Sequence, residues 1–476
     1  MKNMLPIGIV ASGATRGAMT FYATERIQTD YVCVQDGPEN RIIFEVLREV
    51  VQNDRLTQAD TVRFIEPGDD YRRYNVYVGE AIPVACLNKS GQPRYDAYAI
   101  AAPGSQVRRA TNEELAQVYD IDAGPNRHRV GTLLHQYNVD VCLDMDQLLS
   151  HQAHLAVVGR TGSGKSWFVR HILEFLKMQY IVFSPTDEYD LLRTPHETWQ
   201  KKNIVLRFNQ DTAKLLFNLN PSEQKLLRNF MKNGMEDRPY AADELSETMA
   251  AFFRQSSLTK RENNYQLSFL KDEEVITESP LPQYAKTLCQ KIEDTGFWLQ
   301  KVDTDPAEKP SSSAIYNLQG CRRSEEERII YSTLFPILER RKERFHSEDQ
   351  TIPAQEHIVI VLEEAQNYAP SNRTTLCKDL LVDIARTGRK YGLHILLLSQ
   401  RPRYIDQTIL SQCGGGLFFN LPNPEDVDYV MSSASLNRSA PFKQMIQNFD
   451  TGECILLRAE KSCRDLLCKI SSFEDI

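Results

Sequence analysis

The chain lacks any uninterrupted apolar run near the ~20 residues that a membrane-spanning helix needs, so no transmembrane segment is expected. The nearest imitation of a secretion signal is Leu5–Ala11 behind Lys2. It is short, broken by Pro6 and Gly8 and only weakly basic in front, so it reads as an opening β-strand of a cytoplasmic protein. The 10 cysteines form no Cys-x-x-Cys pair and no Cys/His cluster, which argues against a zinc site or a disulfide framework. Cys142 and Cys454 lie in apolar runs, where a free thiol packs as a small hydrophobe. Excess positive charge is lacking too: 56 Lys and Arg against 64 Asp and Glu give a net charge of -8, so there is no global basic signature of a nucleic-acid binder. A surface that is acidic outside can still be basic along an inner channel, because salt screens charges beyond roughly 8 Å. No internal repeat or low-complexity tract is present.

What is present is an ordinary globular composition, 41% hydrophobic and 25% charged, in 476 residues, a length that calls for two or three structural units. Residues 1–125 carry short β-type runs between turn residues: Tyr31–Val34, Arg41–Phe44, Tyr74–Val78 and Ala81–Leu87. They predict a small barrel or sandwich, with Ala101–Ala110 as a loop. From about residue 126 to 460 strands alternate with helices, and the strands are apolar on both faces, as a helix-covered α/β sheet requires. The candidates are His154–Val158, Tyr180–Phe183, Ile204–Phe208, Ala314–Leu318, Ile358–Leu362 and Ile395–Leu398. Residues 210–310 are polar and helix-favouring with no obvious strand, and read as a helical insertion. A charged helix over Ser324–Arg344 opens on a capping-box pattern, Ser324 followed by Glu327. The tail, residues 461–476, is short and turns acidic at Glu474 and Asp475.

Four pieces carry chemistry. The first is Gly159-Arg160-Thr161-Gly162-Ser163-Gly164-Lys165-Ser166, a G-x-x-x-x-G-K-S loop between an apolar strand and a helix-forming run that Trp167 opens. Glycines there let successive N–H groups turn toward phosphate oxygens, and the helix N-terminus adds partial positive charge. Lys165 is expected to reach the β- and γ-phosphates of ATP, and Ser166 to hold Mg²⁺. The second is Glu363-Glu364 at the carboxyl end of Ile358–Leu362, where open α/β sheets bind ligands. Glu363 is assigned to Mg²⁺ through water and Glu364 to general-base work on the attacking water, against the alternative of a solvated acidic turn. The third is Gln400 in Ser399-Gln400-Arg401-Pro402, which leaves the strand Ile395–Leu398 at its carboxyl end: either a sensor of the γ-phosphate and lytic water or a strand-end turn residue. The fourth is Arg386 and Arg389, three apart on one helical face: either a transition-state arginine lent to a neighbour or a solvated basic helix end. Arg127-His128-Arg129 reads as a linker contact, and Arg373 and Lys378 as a solvated loop rather than a DNA-facing one.

These stretches resemble the HerA family of hexameric DNA translocases, relatives of the FtsK motors. The matching runs are His154–Ser166 (HLAVVGRTGSGKS), Phe183–Tyr189 (FSPTDEY), Ile360–Ala369 (IVLEEAQNYA) and Ile384–Gln412 (IARTGRKYGLHILLLSQRPRYIDQTILSQ). The resemblance implies a RecA-like P-loop ATPase core behind a small N-terminal β-barrel. It implies a homo-hexamer with ATP between subunits, double-stranded DNA through the centre, and a separate nuclease or effector subunit in DNA end processing or antiphage defence. It also places Asp187-Glu188 near the nucleotide, although Ser184-Pro185 stands where aspartate-proline is frequent. The competing reading is an ATP-gated ring scaffold that activates a partner without moving DNA. A GTPase or transporter-type ATPase is disfavoured, since neither an Asn-Lys-x-Asp nor an LSGGQ-like run follows Ser166.

Overall fold

The structure, a computed structural model, describes residues 5–11, 18–27, 31–37, 40–53, 75–95, 100–134, 136–208, 210–236, 238–265, 281, 283–295, 297–301, 312–347, 352–433, 440–458 and 465–470. The chain divides into two compact units. One comprises Met1–Gln152, Gly159–Phe168 and Gly414–Ile476; the other comprises Ala153–Val158 and Val169–Cys413.

The first unit opens with a closed antiparallel barrel. Its strands run in the order Met19–Ala23, Gly8–Val10, Gln106–Arg109, Tyr31–Asp36, Asn40–Asn53 and Asn75–Leu87, and the last pairs back onto the first. Alternation along these strands sends Val10, Phe21, Val32, Val34, Phe44 and Val107 into a common core. Two expectations change here. The stretch Ala101–Ala110 is not all loop, because Gln106–Arg109 is the strand that bridges Gly8–Val10 and Tyr31–Asp36. The runs at Asn75–Val78 and Ala81–Leu87 form one long strand, and Pro83 sits at a register shift where its missing N–H does no harm to the ladder; Tyr74 lies outside the described residues.

The helix Asn112–Tyr119 follows, with a complete capping box between Thr111 and Glu114. Glu114 is 3% exposed, and the guanidinium groups of Arg41 and Arg108 each approach it to 2.7 Å. Five antiparallel strands complete this unit in the order Gly415–Phe418, Glu453–Arg458, Asp465–Ile470, His128–Leu133 and Gln136–Leu143. The tail beyond residue 461 therefore contributes a strand; Glu474 and Asp475 lie outside the described residues.

The second unit is built on six parallel strands: Leu155–Val158, Leu393–Ser399, Ile358–Leu362, Gln179–Ser184, Ser313–Asn317 and His196–Gln200. The first three are buried along their whole length, as the apolar sequences foretell. The edge strand His196–Gln200 is polar and half-exposed, which hid it in the sequence. Val205–Phe208, expected in the main sheet, belongs instead to a small three-stranded sheet with Trp298–Lys301 and Pro239–Tyr240. The described residues between 210 and 301 form helices (Gln210–Leu216, Pro221–Asn233, Ala242–Tyr265, Gln283–Glu293) and also two short strands, Pro239–Tyr240 and Trp298–Lys301, too brief to show a period. The long helix spans Arg323–Ser347, starting before Ser324. Glu325, not Glu327, reaches back to the cap by accepting the Arg322 N–H at 2.7 Å, while Glu327 accepts the N–H of Leu376. Among the described residues no helix is long and apolar enough to cross a membrane.

Candidate functional site

The phosphate-type loop follows Leu155–Val158 directly, and Phe168 N–H donates to Gly164 O at 2.9 Å as the helix Lys165–Phe175 begins. Its turns need glycine at two places for different reasons. Gly162 has φ +73° with open space around the missing Cβ. A Cβ at Gly159 would lie 2.6 Å from the Phe419 side chain, so this position is closed to larger residues by packing. The loop is moulded from outside by residues far along the chain. Arg160 N–H donates to Asn420 O at 2.8 Å, and Gly452 N–H donates to Ser163 O at 3.0 Å. Asn420 is itself pinned, its amide donating to Gln447 O and Phe449 O. Lys165 folds back to donate to Arg160 O at 2.8 Å and is 8% exposed. The Ser163 hydroxyl is buried without a hydrogen-bond partner. Thr161 and Gly162 are exposed, and Ser166 and Trp167 half-buried. A curled backbone with an ammonium at its base is a cradle for an anionic phosphate chain.

Both carboxylates follow the tip of one strand, Ile358–Leu362, which lies between the parallel strands Gln179–Ser184 and Leu393–Ser399. Glu363 is 6% exposed and collects hydroxyls: Ser184 Oγ donates at 2.6 Å, Tyr189 Oη at 3.1 Å and Thr186 Oγ1 at 3.4 Å. Burial, then the Glu363 charge, push the Tyr189 hydroxyl well above its ordinary pKa, so it stays a donor. Glu364 is half-buried and adopts φ 52°, ψ 45°, a left-handed conformation uncommon for a non-glycine residue and typical of strained functional turns. One of its carboxylate oxygens accepts from the amide of Gln400, so the structure brings two of the expected catalytic residues into direct contact.

The family description "Helicase HerA, central domain" matches residues 128–334. The chain is 24% identical to the DNA double-strand break repair helicase HerA of Sulfurisphaera tokodaii over 95% of this chain and 90% of that protein. It is 26% identical to the protein of the same name from Saccharolobus solfataricus, over 74% of this chain and 70% of the other. The chain is similar to the HerA family over these stretches. With a complete phosphate loop and these relatives, it is an ATPase. Among solved structures, VirB4 of Thermoanaerobacter pseudethanolicus aligns with TM-score 0.48 at 17% identity, covering 74% of this chain and 98% of that one.

The other residues singled out in the sequence fall into two groups. Arg386 and Arg389 are exposed and enter no ion pair among the described residues. The rest are occupied locally. Arg127 holds Asp120 at 2.7 Å and Arg129 holds Asp140 at 2.7 Å. Lys378 donates to Pro370 O and pairs with Asp406, and Arg373 donates to Asn367 O. Asp187 and Glu188 are exposed, whereas the next residue, Tyr189, is fully buried on Glu363.

Sequence reading missed Ser184, Thr186, Tyr189, Gln366, Asn420 and Gly452. The only local signal was the placement of the first three beside a strand tip and of Gln366 two residues after Glu364. Taken singly, each in its own unit, the Ser166 hydroxyl and the Glu363 carboxylate are oxygen donors of the kind that a hard ion such as Mg²⁺ accepts while keeping most of its waters. Such an ion would neutralise charge on the transferring phosphate.

Proposed function

We propose that this ATPase is a HerA-type hexameric double-stranded DNA translocase or helicase that works with a separate nuclease or effector. Gly159–Ser166 with Trp167 holds ATP, Lys165 contacts its terminal phosphates, and Ser166 and Glu363 carry Mg²⁺, Glu363 through water. Glu364 activates the lytic water, Gln400 senses the γ-phosphate, and Arg386, with Arg389 beside it, is lent to a neighbouring subunit. The observation that carries this reading is the contact between Gln400 and Glu364 at adjacent strand tips, because it couples a sensor to a base within one hydrogen bond. DNA as the substrate class is supported by the names of the relatives, DNA double-strand break repair helicases. The exposure of Arg386 and Arg389 leaves both available to an incoming subunit.

The decisive measurement is ATP turnover by the purified chain at low salt with and without duplex DNA. A rise with DNA that fades as salt is added is expected, since phosphate contacts release counterions. A rate indifferent to duplex DNA but altered by a partner protein would favour the ring-scaffold reading instead.

A further inference from the structure

Gln366 falls within the run Ile360–Ala369 but carries no role in the sequence reading, yet it completes the enclosure of Glu364. Its amide donates to the Glu364 carboxylate oxygen that Gln400 does not occupy. Its own carbonyl oxygen accepts the Ser399 hydroxyl at 2.7 Å, and Ser399 Oγ accepts the Arg401 N–H at 3.0 Å. The direction of each bond is forced. A carboxylate only accepts, so the NH₂ end of Gln366 must face Glu364 and its oxygen must face Ser399. Ser399 already accepts from the backbone, and its single proton is the one that reaches Gln366. The relay Arg401–Ser399–Gln366–Glu364 therefore has one consistent polarity. Ser399 is 1% exposed and fixed at the end of a buried strand, so the anchor of the relay is rigid.

A general base needs a lone pair within reach of the water it deprotonates. In this arrangement each Glu364 oxygen carries an amide donor, and both donors belong to elements tied to the strand Leu393–Ser399. We infer that Gln366 is a positioning residue that parks the Glu364 carboxylate against the sensor strand and restrains ATP hydrolysis until Gln400 is drawn to the nucleotide. Engagement of Gln400 by the γ-phosphate frees one oxygen, and the Gln366 bond on the other then fixes the direction in which the freed oxygen points. This inference rests on the reading of Glu364 as general base.

The test compares kcat and KM for ATP without DNA in the full chain, Gln366→Met, Gln366→Ala, Ser399→Ala and the double variant Gln366→Ala/Ser399→Ala, with thermal melts to verify folding. Methionine keeps the length of the side chain and cannot donate. Both Gln366 variants are expected to raise DNA-free kcat roughly five-fold, the factor matching one hydrogen bond of ordinary net strength, while KM stays within about two-fold. Ser399→Ala should raise kcat less, and should add nothing on top of Gln366→Ala, because it acts only through Gln366. A folded Gln366→Met chain with unchanged or reduced kcat overturns the restraint, as does full additivity of the Ser399 effect. If the unsubstituted chain hydrolyses no ATP at all, the reading of Glu364 falls first, and that result is visible in the same experiment.

Discussion

Tyr189 illustrates how much of the chemistry depends on single atoms. Its hydroxyl is buried completely against Glu363, 174 positions away in the chain, and burial together with that charge keeps the proton on it. With Ser184 and Thr186 it aims the carboxylate assigned to Mg²⁺. Tyr189→Phe is expected to raise the Mg²⁺ concentration for half-maximal ATP turnover several-fold while leaving kcat at saturating Mg²⁺ within about two-fold, since one donor of three is lost. A lowered melting temperature with an unchanged Mg²⁺ titration would make the tyrosine a packing residue only. Lys165, Glu363 and Glu364 were legible as candidates in the sequence because the signal lies in immediate neighbours: a glycine-rich turn before a helix, or two acids after an apolar strand. Tyr189 and Gln366 were not, because their partners are set by the pairing of strands rather than by spacing. The substitution of Ser184 for the frequent aspartate acquires a reason at this scale: its hydroxyl donates to Glu363, where a second carboxylate would repel it.

At the scale of elements, the buried strands of the second unit begin with two histidines that act as uncharged connectors. His154 Nε2 donates to Ala385 O while Nδ1 accepts the Ile395 N–H, which fixes the neutral tautomer. His394 contacts Ala153 O through Nδ1 and His357 through Nε2. Burial holds His154 near a pKa of about 4, and burial with the His357 charge holds His394 near about 3, both down from 6.5. The unfolded chain therefore binds more protons across this window. Stability is fully present above about pH 6.5 and declines as pH falls toward 4, by about 1.4 kcal/mol per histidine per pH unit. His154→Gln preserves a donor and an acceptor without titrating, so its melting temperature should drop less between pH 7 and pH 5 than that of the unsubstituted chain. Equal drops would show that other groups govern the acid limb. The same scale shows where element reading failed. Gln106–Arg109 has a single buried residue, Val107, and two arginines, so its β-character depends on neighbours and on the Glu114 that neutralises Arg108. Val205–Phe208 was apolar enough to read as a strand, but nothing in four residues specifies which sheet receives it.

At the scale of the whole molecule, a net charge of -8 coexists with exposed arginines, Arg386 and Arg389 among them. If Arg386 completes a neighbour's site, subunits of Arg386→Ala mixed with subunits of Lys165→Ala should recover part of the turnover that each lacks alone, because some interfaces then pair an intact loop with an intact arginine. Absence of recovery at every mixing ratio would confine Arg386 to its own subunit. The barrel was legible as a count of short alternating runs. The division of the first unit was not, because its parts come from three separated stretches of chain. That discontinuity has a temporal side. Gly452 donates to Ser163 and, through its carbonyl, accepts the N–H of Ile470, so the shape of the phosphate cradle is dictated by residues made nearly three hundred positions after it. During synthesis the G-x-x-x-x-G-K-S sequence leaves the ribosome early as an unsupported turn. A nascent chain that has not reached Phe419 and Gly452 holds every letter of the motif and none of the wall against which it is cast.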